Sequence, residues 1–225
     1  MRWQIINAAG RPVITFALLA ILVYACNNEK SKKNVEENLD STVTENSTGN
    51  GDTVAVKVSD TVLLGLTADI LLHIERGEYQ QLADYIHPLE GLRFSPYGYI
   101  DTTRDQLFTK EKFLSTLSSP SKILWGYYDG SGDPIRLTLR EYFRKFVYDV
   151  KFARPENLSL NKTVSSGNSL NNLQHIYPGC SFTESYFSGF EKKYEGMDWR
   201  SLKLVYKFYE GQYYLVGIIH DQWTI

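Results

Sequence analysis

Near the end of the chain His220 and Asp221 stand side by side, an imidazole and a carboxylate of the kind that together move protons. Successive residues of a strand point to opposite faces, so the two pair directly only where the chain bends. Capping of the last strand is the plainer reading. Asp129-Gly130-Ser131-Gly132-Asp133 sets three oxygen ligands at alternate positions, like the opening of a calcium loop. Its sixth position is Pro134, where such loops need glycine, and its twelfth is Arg140, where they need glutamate. The segment therefore reads as a hairpin-like turn leading into a helix. Arg93, Tyr97, Tyr99, Trp125 and Tyr127 carry flat or polar-tipped side chains suited to a pocket wall, although ordinary core packing also uses such aromatics. Alternation puts Arg93 on the face opposite Leu92 and Phe94. There it meets either solvent or, if that face is enclosed, an anionic ligand or an internal carboxylate such as Asp101.

Other reactive residues lack company. His73 lies between Leu72 and Ile74 on a helical stretch, and His175 sits in the polar run NSLNNLQHIYPG with no second ligand at metal spacing. HExxH, CxxC, a P-loop and GxSxG are all missing, so the sequence implies neither a metal nor a nucleotide nor any other cofactor. With 26 acidic against 24 basic side chains there is no bulk charge to hold a nucleic acid.

The N-terminus carries an address. Arg2 and Arg11 precede the apolar run Val13–Ala25, which is broken only by Thr15. As a helix that run rises roughly 20 Å, short of the ~30 Å hydrocarbon core of a bilayer, which fits the apolar region of a cleaved signal. Val23-Tyr24-Ala25-Cys26 resembles the lipobox of bacterial lipoproteins, in which the cysteine is acylated, with palmitate an expected chain, and becomes the first mature residue. Tyr24 is larger than usual at its position. Loss of residues 1–25 removes two arginines and no acid, taking the net charge from −2 to −4. With Cys26 acylated, Cys180 is the only thiol left and reads as a small buried hydrophobe.

Three segments follow: a signal peptide over 1–25, a lipidated cysteine with a disordered tether over 26–59, and one domain over 60–225. The tether is rich in Asn, Ser, Thr, Glu and Lys and lacks the apolar area to offset its conformational entropy. Its ~32 residues reach roughly 30 Å. Asn27 after the cysteine resembles the start of outer-membrane lipoproteins.

Within the domain, Leu63, Leu66, Ile70 and Ile74 predict a helix over Thr61–Glu75, with Asp60 as N-cap and Gly77 as the stop. Tyr79, Leu82, Ala83 and Ile86 predict a second, short helix ending at His87-Pro88. Leu92–Tyr99 is extended, with Pro96 marking a bulge or an edge. Thr109 caps a third helix, stapled by Phe108 and Phe113. Lys122–Tyr128 is a strand. Thr138-Leu139-Arg140-Glu141 is a capping box that opens a helix carrying Phe143, Phe146 and Val147 inward. Ser181–Ser188, Trp199–Tyr209 and Gln212–His220 are strands, the last two joined at Glu210-Gly211. Helices first and a meander last make an α+β domain.

The phrases IERGEYQQLADYIHP and LKLVYKFYEGQYYLVGI, with the element order above, resemble the nuclear transport factor 2-like superfamily. RFSPYGYID, WGYYDGSGDPIRLTLREYFRKFVYD and YYLVGIIHDQWTI are similar to a group of bacterial secreted or lipoprotein domains with no assigned activity. The resemblance implies N-terminal helices packed on a strongly curved, mostly antiparallel sheet, a cone whose interior the pocket residues named above would line. It also allows a homodimer paired through the sheet face. The expected function is a membrane-anchored envelope lipoprotein, in the outer membrane, whose domain is a non-catalytic module binding a small ligand or an envelope protein. The alternative is a small-molecule isomerase or dehydratase with Asp101, His220 or Asp221 as general base. A glycan binder would instead present two or three tryptophans or tyrosines coplanar on the surface, and burial of Trp125, Trp199 and Trp223 together would exclude it.

Overall fold

The structure is a computed structural model and describes residues 51–165 and 170–224. Cys26, the signal and most of the tether lie outside the described residues. The first helix, α1, spans Gly51–Glu75 and buries Leu63, Thr67, Ile70, Leu71 and Ile74 along one side. It begins ten residues before Thr61, so Asp60 lies within the helix instead of capping it. Residues 53–58 carry three valines and an alanine, and a helix already nucleated at Leu63 extends backwards through them at little further cost. Gly77 ends α1 with a left-handed φ of 70°, while Gly77 N–H reaches the Ile74 carbonyl and Glu78 N–H the His73 carbonyl, the paired bonds of a Schellman turn. Helix α2, Tyr79–Leu82, continues into a 3-10 turn, Ala83–Tyr85, and Tyr79, Leu82, Ala83 and Ile86 are all buried.

Six strands form one sheet. They are β1 (Leu92–Ser95), β2 (Gln106–Phe108), β5 (Asn157–Leu160), β6 (Ser181–Phe187), β7 (Arg200–Tyr209) and β8 (Gln212–Gln222). Their order is β2-β1-β8-β7-β6-β5, and every pairing is antiparallel except that of β1 with β8. The domain is thus α+β with a mostly antiparallel sheet. That sheet is open at β2 and β5 and not strongly curled, in contrast to the strong curvature expected. Neither β2 nor β5 is among the expected strands: at three and four residues each is too short for its pattern to stand out. A separate hairpin pairs β3 (Ile123–Tyr127) with β4 (Pro134–Leu137), so the Asp129–Asp133 turn leads into a strand before it reaches a helix.

Local signals hold the middle of the chain. Thr109 accepts from Lys112 N–H at the start of α3 (Lys110–Leu117), with the Phe108 and Phe113 rings 6.4 Å apart across its first turn. At α4 (Leu139–Tyr142) Thr138 and Glu141 form both halves of a capping box. One π-helical turn, Phe143–Val147, follows and directs Phe143, Phe146 and Val147 inward.

Aromatic rings fill the layer between helices and sheet. Phe94, in the middle of β1, has the rings of Phe108, Phe113, Trp125, Tyr142 and Phe143 within 5.6–6.3 Å. Trp125 stacks on Tyr142 at 3.8 Å. The other sheet face carries a smaller apolar cluster of Phe182, Val205, Val216 and Ile219, covered by Leu173 and Ile176 of α5 (Leu173–Ile176) and by Tyr177. Cys180 packs half-buried beside it, its thiol pushed up by burial.

Because Phe94 joins five rings, Phe94→Ala is expected to destabilise the domain by about 3–5 kcal/mol, the cost of a large buried ring left as a cavity. Urea unfolding followed by tryptophan fluorescence measures it.

Candidate functional site

β8 sends His220 and Asp221 to opposite faces, as an unbroken strand must. His220 is fully buried on the helix side, edge-on to Phe146 and Phe152. Its Nδ1 lies 3.2 Å from the Pro96 carbonyl and its Nε2 3.4 Å from Asp149 Oδ1, the latter long for a hydrogen bond. Asp149 Oδ2 accepts from Arg200 Nε at 2.9 Å. Burial alone would raise Asp149, but His220 and Arg200 outweigh it and hold the carboxyl below its ordinary range. The group ties β7 and β8 to the chain after the π turn and closes His220 off from solvent.

Asp221 enters a second buried network. Lys203 Nζ stands 3.1 Å from Glu184 Oε1 and 3.7 Å from Asp221 Oδ2, and donates to Ser165 Oγ at 3.0 Å. Glu184 also accepts from Ser201 Oγ at 2.5 Å and from the N–H groups of Val164 and Ser165 at 2.5 and 3.2 Å. Burial raises Asp221, whereas Lys203 and the surrounding donors overcome burial to hold Glu184 low. This network pins the chain after β5 across the sheet, which is a structural task. Removing the lysine strands two buried carboxylates, so Lys203→Met is expected to cost about 3–5 kcal/mol in urea unfolding. Adding Glu184→Leu should recover only part of that loss, because Asp221 keeps no cation and the Val164 and Ser165 N–H groups lose their acceptor.

The groups that do share an opening lie where β1 ends. Pro96 stops β1, and the chain then turns through Tyr97, Tyr99, Asp101, Arg104 and Asp105 beside Gly126 and Tyr127 of β3, enclosing a cleft of about 120 Å³. Tyr97, Tyr99, Tyr127 and Asp101 are gathered there; Trp125 and Arg93 are not. Trp125 points into the core and donates from Nε1 to the Leu137 carbonyl at 2.9 Å. Arg93 lies behind the turn and donates from Nη1 to the carbonyls of Thr102 and Asp105 at 3.3 and 3.4 Å. It therefore positions the cleft rather than lining it. Asn172 clamps the same turn by accepting from Ile100 N–H and donating to its carbonyl, both at 2.9 Å.

Asp101 is tied to Thr103 Oγ1 at 2.6 Å and to Arg104 Nε at 3.3 Å, and the Thr103 hydrogen bonds with Arg104 draw its carboxyl down. Asp105, which sequence reasoning missed, behaves differently. Burial pushes it up to about 7, against the opposing effects of Ser95, the Asp101 N–H and Arg93. Within TTRDQ nothing periodic marks it out.

The remaining candidates resolve locally. Asp129 and Ser131 spend their oxygens on the N–H groups of Gly130 and Asp133 inside the turn. Among the described residues no cluster of His, Cys, Asp and Glu could hold a metal ion, and no helix is long and apolar enough to cross a membrane. His73 pairs with Glu78 at 2.8 Å, and His175 is exposed on α5. Trp125 and Trp199 are buried, whereas Trp223 is 38% exposed.

No family model, curated protein or solved structure matches the chain.

The raised Asp105 carboxyl has a thermodynamic consequence. Its folded value of about 7 lies above the ordinary 3.8, so the stability it contributes is complete below pH 3.8 and is lost as the pH rises through about 7. Asp105→Asn removes that titration. Thermal melts from pH 4 to 8 should show the variant gaining on the native chain across this window.

Proposed function

We propose that this chain is a bacterial lipoprotein anchored to the cell envelope through acylated Cys26, and that its folded domain is a non-catalytic binding module working through the cleft at the end of β1. The reading of Cys26 rests on the Val23-Tyr24-Ala25-Cys26 sequence at the close of an apolar run. One structural observation carries the binding reading. The layer between helices and sheet is packed with aromatic rings, and Asp149, Glu184, His220 and Asp221 stand against charged partners. His220 and Asp221, two of the bases an enzyme reading would use, lie inside those pairings. The nuclear transport factor 2-like cone belongs to the same proposal; helices on one face of a mixed sheet support it, and the open, gently shaped sheet does not. A homodimer through the sheet is less favoured, because α5 already covers the centre of the free face.

A second reading has one observation in its favour. Asp105, at about 7 beside tyrosines in an open cleft, has the proton affinity of a general base at neutral pH. An isomerase or dehydratase would rest on this residue.

Labelled palmitate fed to cells expressing the full chain tests the anchor. Label in the membrane fraction of the native protein, and its loss with release of the Cys26→Ala variant, is expected. An unlabelled native chain in the soluble fraction would overturn the lipoprotein reading.

A further inference from the structure

The geometry points to an organic cation with a guanidinium or primary ammonium head as the ligand of this cleft, with Arg104 filling its place from within the chain until such a ligand arrives. The inference rests on the binding-module reading and names the chemistry of the same site.

The lining selects for positive charge. Tyr99 and Tyr127 are 52% and 45% exposed, so their faces remain open to a ligand, and the negative face of an aromatic ring attracts a cation. Asp101 and Asp105 stand on the same wall. Arg104 already makes the contacts such a ligand would make, its guanidinium 5.8 Å from the centre of the Tyr127 ring and its Nε 3.3 Å from Asp101. That side chain is 66% exposed, and an ion pair so open to water is weak. A free guanidinium can therefore displace it, and gains a second carboxylate by reaching Asp105.

An anion is the wrong ligand, since it would face both carboxylates while the one guanidinium on the wall is already paired. The cleft of about 120 Å³ has room for such a head group, with the rest of the ligand left in solvent.

Burial opposes charge on Asp105 most strongly, Ser95, the Asp101 N–H and Arg93 favour it and the Asp101 carboxylate opposes it, with Tyr142 and Tyr177 also in range. Affinity for a cation should accordingly rise from pH 6 to 8, with a proton released on binding.

Calorimetric titration of the full chain in detergent with agmatine, and with neutral butylurea as the control, tests the proposal. Saturable agmatine binding without butylurea binding is expected. Arg104→Ala should tighten it about three- to tenfold by removing the internal competitor, and Asp105→Asn should weaken it about tenfold or more. Tyr99→Ala, at an exposed ring whose loss leaves the core intact, should weaken it as well. Binding of butylurea equal to that of agmatine, weaker binding by Arg104→Ala, or no agmatine binding by either the native chain or Arg104→Ala would each overturn the proposal. The palmitate experiment does not involve the cleft, so an anchored chain that ignores agmatine sinks the cation inference and leaves the envelope reading standing.

Discussion

β7 and β8 pair from Arg200↔Gln222 to Tyr209↔Gln212 around Glu210-Gly211, whose φ values of 46° and 87° match a two-residue hairpin turn. This register decides which chemistry each sheet face receives. With it in place, Leu202, Leu204, Leu215, Ile218 and His220 meet the aromatic layer, while Lys203, Val205, Ile219 and Asp221 face the chain around α5. A slip by one residue would drive Lys203 into the phenylalanines and expose the leucines. The register is therefore enforced from both sides, by an apolar face that excludes charge and an ion network that needs it.

The parallel pairing of β1 with β8 carries that order to the cleft. Arg93 sits opposite Gly217, where the absence of a side chain leaves room for Tyr177 across the sheet. From this position the guanidinium reaches the carbonyls of Thr102 and Asp105 and fixes the turn that bears Asp101, Arg104 and Asp105. Gly98 is needed for a related reason: a Cβ there would fall 2.5 Å from Asp221 Oδ2. The turn is flush against the second ion network, so the shape of the cleft depends on contacts made entirely behind it.

What could be read from the sequence follows the range of the forces involved. Gly77, Thr109, Thr138 and Glu141 act within a few residues, and their caps and stops can be seen in the chain itself. The three long strands of the C-terminal third show clear alternation and were placed within one or two residues of their observed ends. Lys203 illustrates the limit. A lysine between two leucines in a strand has the pattern of a solvent-facing residue, and only cover from a segment some forty residues earlier makes it buried. Arg93 and Trp125 are of types suited to a pocket wall, yet neither lines the cleft, because the face each takes is set by the elements packed around it. Asp105 left no local trace at all, since its character comes from enclosure by β1, β3 and the turn together.

Two kinds of buried charge thus coexist here, and the difference between them bears on function. Glu184 and Asp149 have cationic partners within hydrogen-bonding distance, so their charges are stabilised where they stand. Asp105 is enclosed but incompletely compensated, because Arg93 spends its hydrogen bonds on backbone carbonyls and Arg104 goes to Asp101. A fold that needed only stability would do better with an uncharged residue at this point, since a carboxyl raised to about 7 opposes folding at neutral pH. The uncompensated charge lies at the rim where Tyr99 and Tyr127 are exposed, and its cost is offset when a cation enters and supplies the missing charge.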